Sequence, residues 1–312
     1  MAVTAAMVKE LREMTGAGMM DCKKALAATD GDMDKAVEFL REKGLAGAEK
    51  KAGRIAAEGI VATAMTEDEK KAVVVEVNAE TDFVAKNAKF QAYVAQVAAQ
   101  ALTTTAADMD AFMEEKWAAD ETLTVKEALS SQISIIGENM NIRRFKQVEE
   151  QNGFVSSYIH AEGKIGVLVD VETDVVNDEI KEMAKNIAMQ ITAMKPVYTN
   201  DSEVDEEYKA HELEIIKSQI ENDPKMAGKP EKVINGAIMG RLNKQLKEIC
   251  LLDQVYVKAE DGKQSVAAYV AQVAKANGAN VAVKGFVRFE TGEGMEKKNE
   301  DFAAEVAAQL GK

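Results

Sequence analysis

Two carboxylates and a histidine are the residues of this sequence whose types could perform acid–base chemistry. Glu80 and Asp82 stand two positions apart, so on an extended segment they would share one face, and Asp82 with His160 would be the components of a hydrolase. A plainer interpretation is that acidic residues before an amphipathic helix cap its first turn. The only histidines are His160 and His211, and neither lies in a known catalytic motif, so the sequence favours capping over catalysis.

Exposed apolar side chains are the other candidates for function. Phe83 belongs to the run Thr81-Asp82-Phe83-Val84, and two interpretations stay open: the ring closes the core of its own subdomain, or it is a wedge that enters a partner. Met19 and Met20 are adjacent and therefore cannot both face one core, so contact of one of them with a partner also stays open.

The first 55 residues predict a small helical head. Thr4 is a candidate cap for a first helix, the Gly16–Gly18 segment breaks it, and further helices are expected over 19–28 and 33–43. Residues 50–58 are polar and rich in alanine, which is typical of a linker helix. The head, residues 1–55, is therefore expected to move relative to the rest.

The chain then contains an internal duplication. Residues 59–64 and 71–76 resemble 153–158 and 164–170, and Glu80-Thr81-Asp82-Phe83-Val84 aligns with Glu172-Thr173-Asp174-Val175-Val176. Each copy predicts a hairpin, an amphipathic helix that opens at the acidic run, and a closing strand. The expected subdomains are 56–150 and 151–294. In the first copy the predicted inward helix face consists of Phe90, Val94 and Val97, and the closing strand is 142–148. In the second copy the face consists of Ile180, Met183, Ile187 and Ile191, and the closing strand is 281–289.

The second copy carries an insertion at about 200–250, and a tail follows it. Apolar residues at helical spacing on both sides of a Gly-Pro turn predict an antiparallel helical hairpin whose narrow stripes pack on each other. The tail, residues 295–312, predicts a short helix with Phe302 on its apolar face. The predicted stripes consist of Val204, Tyr208, His211, Ile215 and Ile220 before the turn, and Ile234, Ala237, Ile238, Leu242, Leu246 and Ile249 after it.

Composition excludes several classes of function. The net charge of −14 disfavours a protein that binds along nucleic acid, so no direct nucleic-acid partner is expected. Cys22 and Cys250 have no metal-ligand spacing and suit a reducing cytoplasm. No run is long and apolar enough for a membrane span, and no phosphate-binding Gly-rich motif occurs, so neither a membrane nor a cofactor is expected.

Two long motifs stand out in the sequence, LREMTGAGMMDCKKAL at 11–26 and VEVNAETDFVAKN at 75–87. They resemble the first and the second signature of the elongation factor Ts family. The resemblance continues through 136–144, 158–160, 285–289 and 301–306, and so covers essentially the whole chain. It implies an α+β fold with a ubiquitin-associated-like three-helix head, two duplicated core subdomains, an inserted antiparallel helical hairpin and a C-terminal helix module.

The same resemblance implies guanine nucleotide exchange on the GTPase elongation factor Tu, without covalent chemistry. It implies that Thr81, Asp82, Phe83 and Val84 intrude on the nucleotide domain of the partner and dislodge Mg²⁺. Whether the chain forms a homodimer within a complex of two copies of each protein is left open. The further partner contacts that the resemblance implies are Arg12, Met19, Met20 and Lys23 in the head, Ile136, Gly137 and His160 in the body, and Phe302 in the tail.

Two alternative functions belong to other classes of protein. A ribosome- or nascent-chain-associated adaptor would use the head but would leave Thr81 to Val84 without a role. A hydrolase would use Asp82 and His160. Loss of a bound GTPase on addition of GDP and Mg²⁺ would be expected only of the exchange factor.

Overall fold

Three helices fold on a small apolar cluster at the start of the chain, in a computed structural model that describes residues 3–296. The helices are α1 (Ala5–Thr15), α2 (Met19–Ala28) and α3 (Met33–Lys51). The Thr4 hydroxyl accepts the Met7 N–H at 3.3 Å, and Gly16 ends α1 at φ 65°, so the predicted head is confirmed. The separate linker helix over 50–58 is wrong, because α3 itself runs to Lys51 and β1 begins at Glu58.

A three-stranded antiparallel sheet in the order β1-β2-β5 follows the head. Helix α5 packs on one face of this sheet, and α7 leads into its closing strand. A second small hairpin, β3-β4, lies between them. The elements are β1 (Glu58–Met65), β2 (Lys71–Ala79), α4 (Asp82–Ala85), α5 (Ala88–Thr103), α6 (Met109–Glu114), β3 (Lys116–Trp117), β4 (Asp120–Thr124), α7 (Val125–Ile136) and β5 (Met140–Glu149).

The second half repeats the plan with a sheet in the order β6-β7-β8. Its central strand, like β2, carries an irregularity of register on the side of the closing strand, at Glu76/Val77 in one copy and Asp170/Val171 in the other. The predicted duplication and the α+β class are therefore confirmed. The elements are β6 (Gly153–His160), β7 (Ile165–Thr173), α8 (Asp178–Met194), α9 (Glu206–Glu221), α10 (Glu231–Ile249), α11 (Val266–Ala276) and β8 (Val281–Glu290).

The long helices of the two copies begin later than the acidic runs predict. Asn87 caps α5 by accepting the Lys89 N–H at 2.9 Å, and Asn177 caps α8 by accepting the Ile180 N–H at 2.9 Å. The expectation that the helices open at the acidic runs, with Glu80 and Asp82 as capping residues, is wrong. The predicted inward faces of both helices are buried as expected.

The two sheets pack against each other through the faces that their helices leave uncovered. Strand β2 is buried on both sides, because Val75 faces α5 while Val74 faces the second sheet. The approach is close at Gly166, where an added Cβ would lie 2.5 Å from Val61 Cγ1. A side chain at Gly166 would force the sheets apart.

The inserted helices α9 and α10 form the predicted antiparallel hairpin, but two residues of the predicted stripe of α9 are exposed. Ile215 is exposed, and the buried stripe of α9 instead runs through Ile216 and Ile220 against Ile238 and Leu242 of α10. His211 also lies exposed. The sequence pattern of α9 does not decide which of the adjacent Ile215 and Ile216 is buried. Packing against α10 decides it.

The head lies against α7. Arg41 of α3 donates to the Thr122 carbonyl at 3.0 Å and to the Glu127 carboxylate at 3.2 Å. Gly44 faces the Ser130 carbonyl across a close crossing of α3 and α7. These contacts oppose the predicted movement of the head. The division into 1–55, 56–150, 151–294 and 295–312 stays a prediction, and the last segment lies almost wholly outside the described residues.

A buried carboxylate joins the two halves. Glu76 accepts from Arg144 at 2.6 Å and Arg143 at 3.0 Å, and from the Gly292 N–H at 2.8 Å. Burial raises the pKa of Glu76, but hydrogen bonds from the Gly292 N–H, Asn78 and Arg144 outweigh it and hold the pKa below its ordinary value. This carboxylate is therefore ionised and satisfied.

Replacing Glu76 with alanine is expected to lower the free energy of unfolding by about 3 to 5 kcal/mol, because two arginines would lose their buried partner. Denaturant titration measures the loss. Lys9→Ala is a matched control, since its ion pair with Glu13 is exposed and contributes little. Equal stability of Glu76→Ala and the unaltered chain would show that the ion pairs of Glu76 do not stabilise the fold.

The equivalent carboxyl of the second copy has the opposite electrostatics. Burial and the neighbouring Glu150 raise the pKa of Asp170 to about 6, and its Oδ1 is buried without a partner that donates. Since the folded chain then binds a proton more tightly than the unfolded chain, stability falls as the pH rises from about 4 to 6.

Asp170→Asn is expected to raise the free energy of unfolding at pH 7 by about 1 to 2 kcal/mol, after allowing for partial solvent exposure. The amide removes the like-charge repulsion. At pH 4 the gain should vanish, because Asp170 is then protonated in the folded chain. Denaturant titrations at both pH values test this, and an equal effect at each pH would show that the repulsion is absent.

Candidate functional site

The candidate site is centred on the turn after β2. Thr81 is extended, and its hydroxyl accepts the Val84 N–H at 3.4 Å, which starts the single helical turn α4. Val84 is 7% exposed and packs in the first core, whereas Phe83 is 81% exposed. The interpretation of Phe83 as a core residue of its own subdomain is therefore wrong, and the ring stands in solvent on an anchored turn.

Asp82 lies beside this ring but is not placed for acid–base work. Its carboxylate accepts from Lys86 Nζ at 2.8 Å, and that hydrogen bond lowers its pKa. His160 Nδ1 lies 3.1 Å from the Tyr158 hydroxyl. Within residues 3–296, no hydrogen bond joins Asp82 to His160, so the geometry does not support the hydrolase.

The loop between α7 and β5 supports the turn from one side. The Glu138 carboxylate accepts the Thr81 N–H at 3.0 Å and the Thr81 hydroxyl at 2.7 Å. The Glu80 carboxylate accepts in return from the Asn139 N–H at 2.6 Å. Gly137, at φ 91°, ends α7 and allows the reversal of the chain that brings Glu138 back to Thr81.

This loop also brings Ile136 and Gly137, two candidate partner contacts, close to the turn. Ile136 is half-buried against the first core, and Gly137 is exposed. Sequence reasoning missed the role of Glu138 and Asn139, which stand more than fifty positions after Thr81. Both residues lie within the segment 136–144 that resembles the family. Nothing in their local spacing indicates that they bind the turn at Thr81.

The candidate residues of the head form a separate groove of 560 Å³ between α1 and α2. Met19 is 58% exposed and Met20 61%, so neither methionine enters the core of the head. Arg12 and Lys23 line the same groove. Apolar methionines beside basic side chains suit a partner surface that is apolar and acidic.

The head groove and the Phe83 turn are connected through α7. The turn between α1 and α2 rests on the end of α7, where a Cβ on Gly16 would lie 3.2 Å from Ile135 Cδ1. Ile135 directly precedes Ile136 and the loop that holds Thr81. The turn that follows α1 is therefore linked by packing to the helix that leads into the loop holding Thr81.

His160 belongs to the second copy. It ends β6, and its side chain is exposed next to Tyr158. The following turn packs on β1, where a Cβ on Gly163 would lie 3.0 Å from Ile60 Cβ, and Lys164 pairs with Glu58. The His160 turn is thus attached to the first strand of the first copy. Phe302 lies outside the described residues.

Two further properties of the described residues concern metal ions and membranes. Among residues 3–296, no group of three or more His, Cys, Asp or Glu side chains is arranged to hold a metal ion. Across the same residues, every helix is too short or too polar to cross a membrane.

Comparison with known proteins identifies the family. The family described as "Elongation factor TS" matches residues 80–293. "Elongation factor Ts" of Clostridium novyi (strain NT) is 52% identical over 308 residues, and that of Clostridium tetani (strain Massachusetts / E88) is also 52% identical over 308 residues, each with 99% of both chains covered. The protein of the same name from Clostridioides difficile (strain 630) is 50% identical over 308 residues, again 99% of both chains. The chain therefore belongs to the elongation factor Ts family, the nucleotide exchange factors of translation elongation.

Proposed function

We propose that this chain binds elongation factor Tu loaded with GDP and promotes release of GDP by displacing Mg²⁺ and stabilising the nucleotide-free state. The single observation that carries the proposal is the outward Phe83 ring, 81% exposed on a turn whose next residue is anchored in the core. An exposed aromatic ring on a rigid support gains free energy only when a partner covers it.

The size of that gain is sufficient to bias the partner. Burial of a phenylalanine side chain contributes about 1.5 to 3 kcal/mol, which is roughly a 10- to 150-fold preference if only one state of the partner offers the cleft. By linkage, the factor by which the chain weakens nucleotide binding equals the factor by which nucleotide weakens binding of the chain. No nucleophile is needed for this work.

Mg²⁺ is the sensitive point of the nucleotide site of the partner. The ion requires near-ideal octahedral oxygen ligands and bridges the phosphates of the nucleotide. A ring that shifts one ligand therefore removes much of the charge balance that holds GDP. We place this displacement at Thr81, Asp82, Phe83 and Val84, with Phe83 as the group that enters.

The other surfaces would supply the remaining differential affinity for the nucleotide-free partner. The Met19–Met20 groove with Arg12 and Lys23, the Ile136–Gly137 loop and His160 would each bury area against the partner. The groove would also suit the adaptor alternative, which uses the head alone. That alternative leaves the anchored Phe83 turn unexplained.

Phe83→Ala is expected to slow the GDP release that the chain stimulates by about 10-fold or more, with the fold unchanged, because the ring lies outside every core. Stopped-flow release of fluorescent GDP from elongation factor Tu measures it. Val176→Ala is the matched control, since Val176 is a half-exposed apolar residue at the equivalent turn of the second copy. Equal release rates for Phe83→Ala and the unaltered chain would reject the wedge.

The Mg²⁺ step has its own test. If the ring acts by displacing the ion, removal of Mg²⁺ with excess EDTA should bring the release rates with the unaltered chain and with Phe83→Ala close together. With Mg²⁺ present the two rates should differ by about 10-fold or more. A difference of the same size with and without the ion would mean that Phe83 drives release by another route.

A further inference from the structure

The two copies of one short sequence fold differently, and the difference decides where the aromatic ring points. Glu80-Thr81-Asp82-Phe83-Val84 and Glu172-Thr173-Asp174-Val175-Val176 both lie at the end of the central strand of a sheet: the first run follows β2, and the second begins with the last two residues of β7. In the first copy residue 83 points out and residue 84 is buried. In the second, Val175 packs on the core and Val176 is 50% exposed, with no helical turn before Asp178.

The hydroxyl of the threonine makes different bonds in the two copies. Thr81 Oγ1 donates its proton to Glu138 at 2.7 Å and accepts the Val84 N–H, which starts α4. Thr173 Oγ1 instead donates to the Val175 carbonyl at 2.9 Å and accepts the Val175 N–H at 3.2 Å. A hydroxyl has one proton, so a hydroxyl that donates to Glu138 cannot also close the tighter turn of the second copy.

The second copy has no counterpart of Glu138. The position two residues before the start of the closing strand is Glu138 in the first copy and Ala279 in the second. Alanine offers no side-chain acceptor, and Ala279 instead packs against the second core. The remaining link between loop and strand end is kept in both copies, since Asp174 accepts the Asn280 N–H at 2.8 Å as Glu80 accepts that of Asn139.

We propose that Glu138 is a positioning residue for nucleotide exchange: its carboxylate binds the N–H and hydroxyl of Thr81 and thereby selects the helical turn that presents Phe83 to the partner. The inference rests on the proposed role of Phe83. Both bonds are charge-assisted and partly shielded from water, which favours one conformation of the turn. Without them, the turn is free to adopt the conformation of the second copy, with residue 83 directed inward.

The proposal sets a limit on the effect of removing Glu138. A residue that acts only through Phe83 lowers exchange by lowering the fraction of molecules that present the ring. Its loss therefore cannot slow exchange more than loss of the ring itself. A residue that touches the partner independently has no such limit, and its effect would multiply with that of Phe83→Ala.

The test is a double-mutant cycle in the full chain, read as stimulated release of fluorescent GDP from elongation factor Tu. We expect Glu138→Ala to slow release by about 3- to 10-fold, and Glu138→Gln by less, because the amide oxygen still accepts one bond. Glu138→Ala combined with Phe83→Ala should be no slower than Phe83→Ala alone. Asp174→Ala, which removes the corresponding link of the second copy, is the matched control and should leave the rate unchanged.

A structural measurement accompanies the kinetics. Amide hydrogen exchange at Val84 and Ala85 should be faster in Glu138→Ala, because α4 loses its support, while protection elsewhere in β2 and α5 is retained. If Glu138→Ala does not fold, Thr81→Val replaces it: it removes the hydroxyl that donates to Glu138 and should reproduce the loss.

Three results would overturn the proposal. An unchanged release rate in Glu138→Ala would show that the carboxylate does not position the ring. Multiplied losses in the double variant would show that Glu138 acts independently of Phe83. An unchanged rate in Phe83→Ala would remove the wedge itself, which separates failure of the proposed function from failure of this inference alone.

Discussion

An aromatic ring held in water on a fixed support is the constraint on which this molecule depends. Phe83 remains outside because its neighbour Val84 is buried and because Glu138 determines the bonds of Thr81. Both anchors require the sandwich beneath them, since β2 is covered on one face by α5 and on the other by the second sheet. The two sheets and α5 therefore hold this turn in place, and under the proposed function little further ordering would be needed when a partner binds.

The duplication shows how one plan yields two different environments. At the same irregularity of the central strand, Glu76 meets two arginines and stays ionised, whereas Asp170 faces Glu150 and its pKa rises to about 6. At the same strand end, the first copy has Glu138 and an outward ring, whereas the second copy has a valine packed against its core. The first copy carries the proposed wedge, and the second contributes the His160 turn and the face that buries β2.

Much of the fold was predictable because the signals are local. Thr4 caps α1, Phe90 and Val94 lie on the buried face of α5, and the self-comparison locates both hairpins. The sequence-based predictions were wrong where contacts with residues distant in sequence determine the local structure. The choice of Ile216 over Ile215 depends on the packing of α10, and the bonds of Thr81 depend on Glu138. The motif identified the candidate site, but the direction of Phe83 required a loop far away in sequence.

The central claim is that the chain prefers the partner without nucleotide. The most direct measurement is the affinity of the purified chain, by titration calorimetry, for nucleotide-free elongation factor Tu and for the same protein saturated with GDP and Mg²⁺. The account predicts at least about 10-fold tighter binding to the empty partner, with most of that difference lost in Phe83→Ala. Equal affinity for the empty and the loaded partner would contradict it.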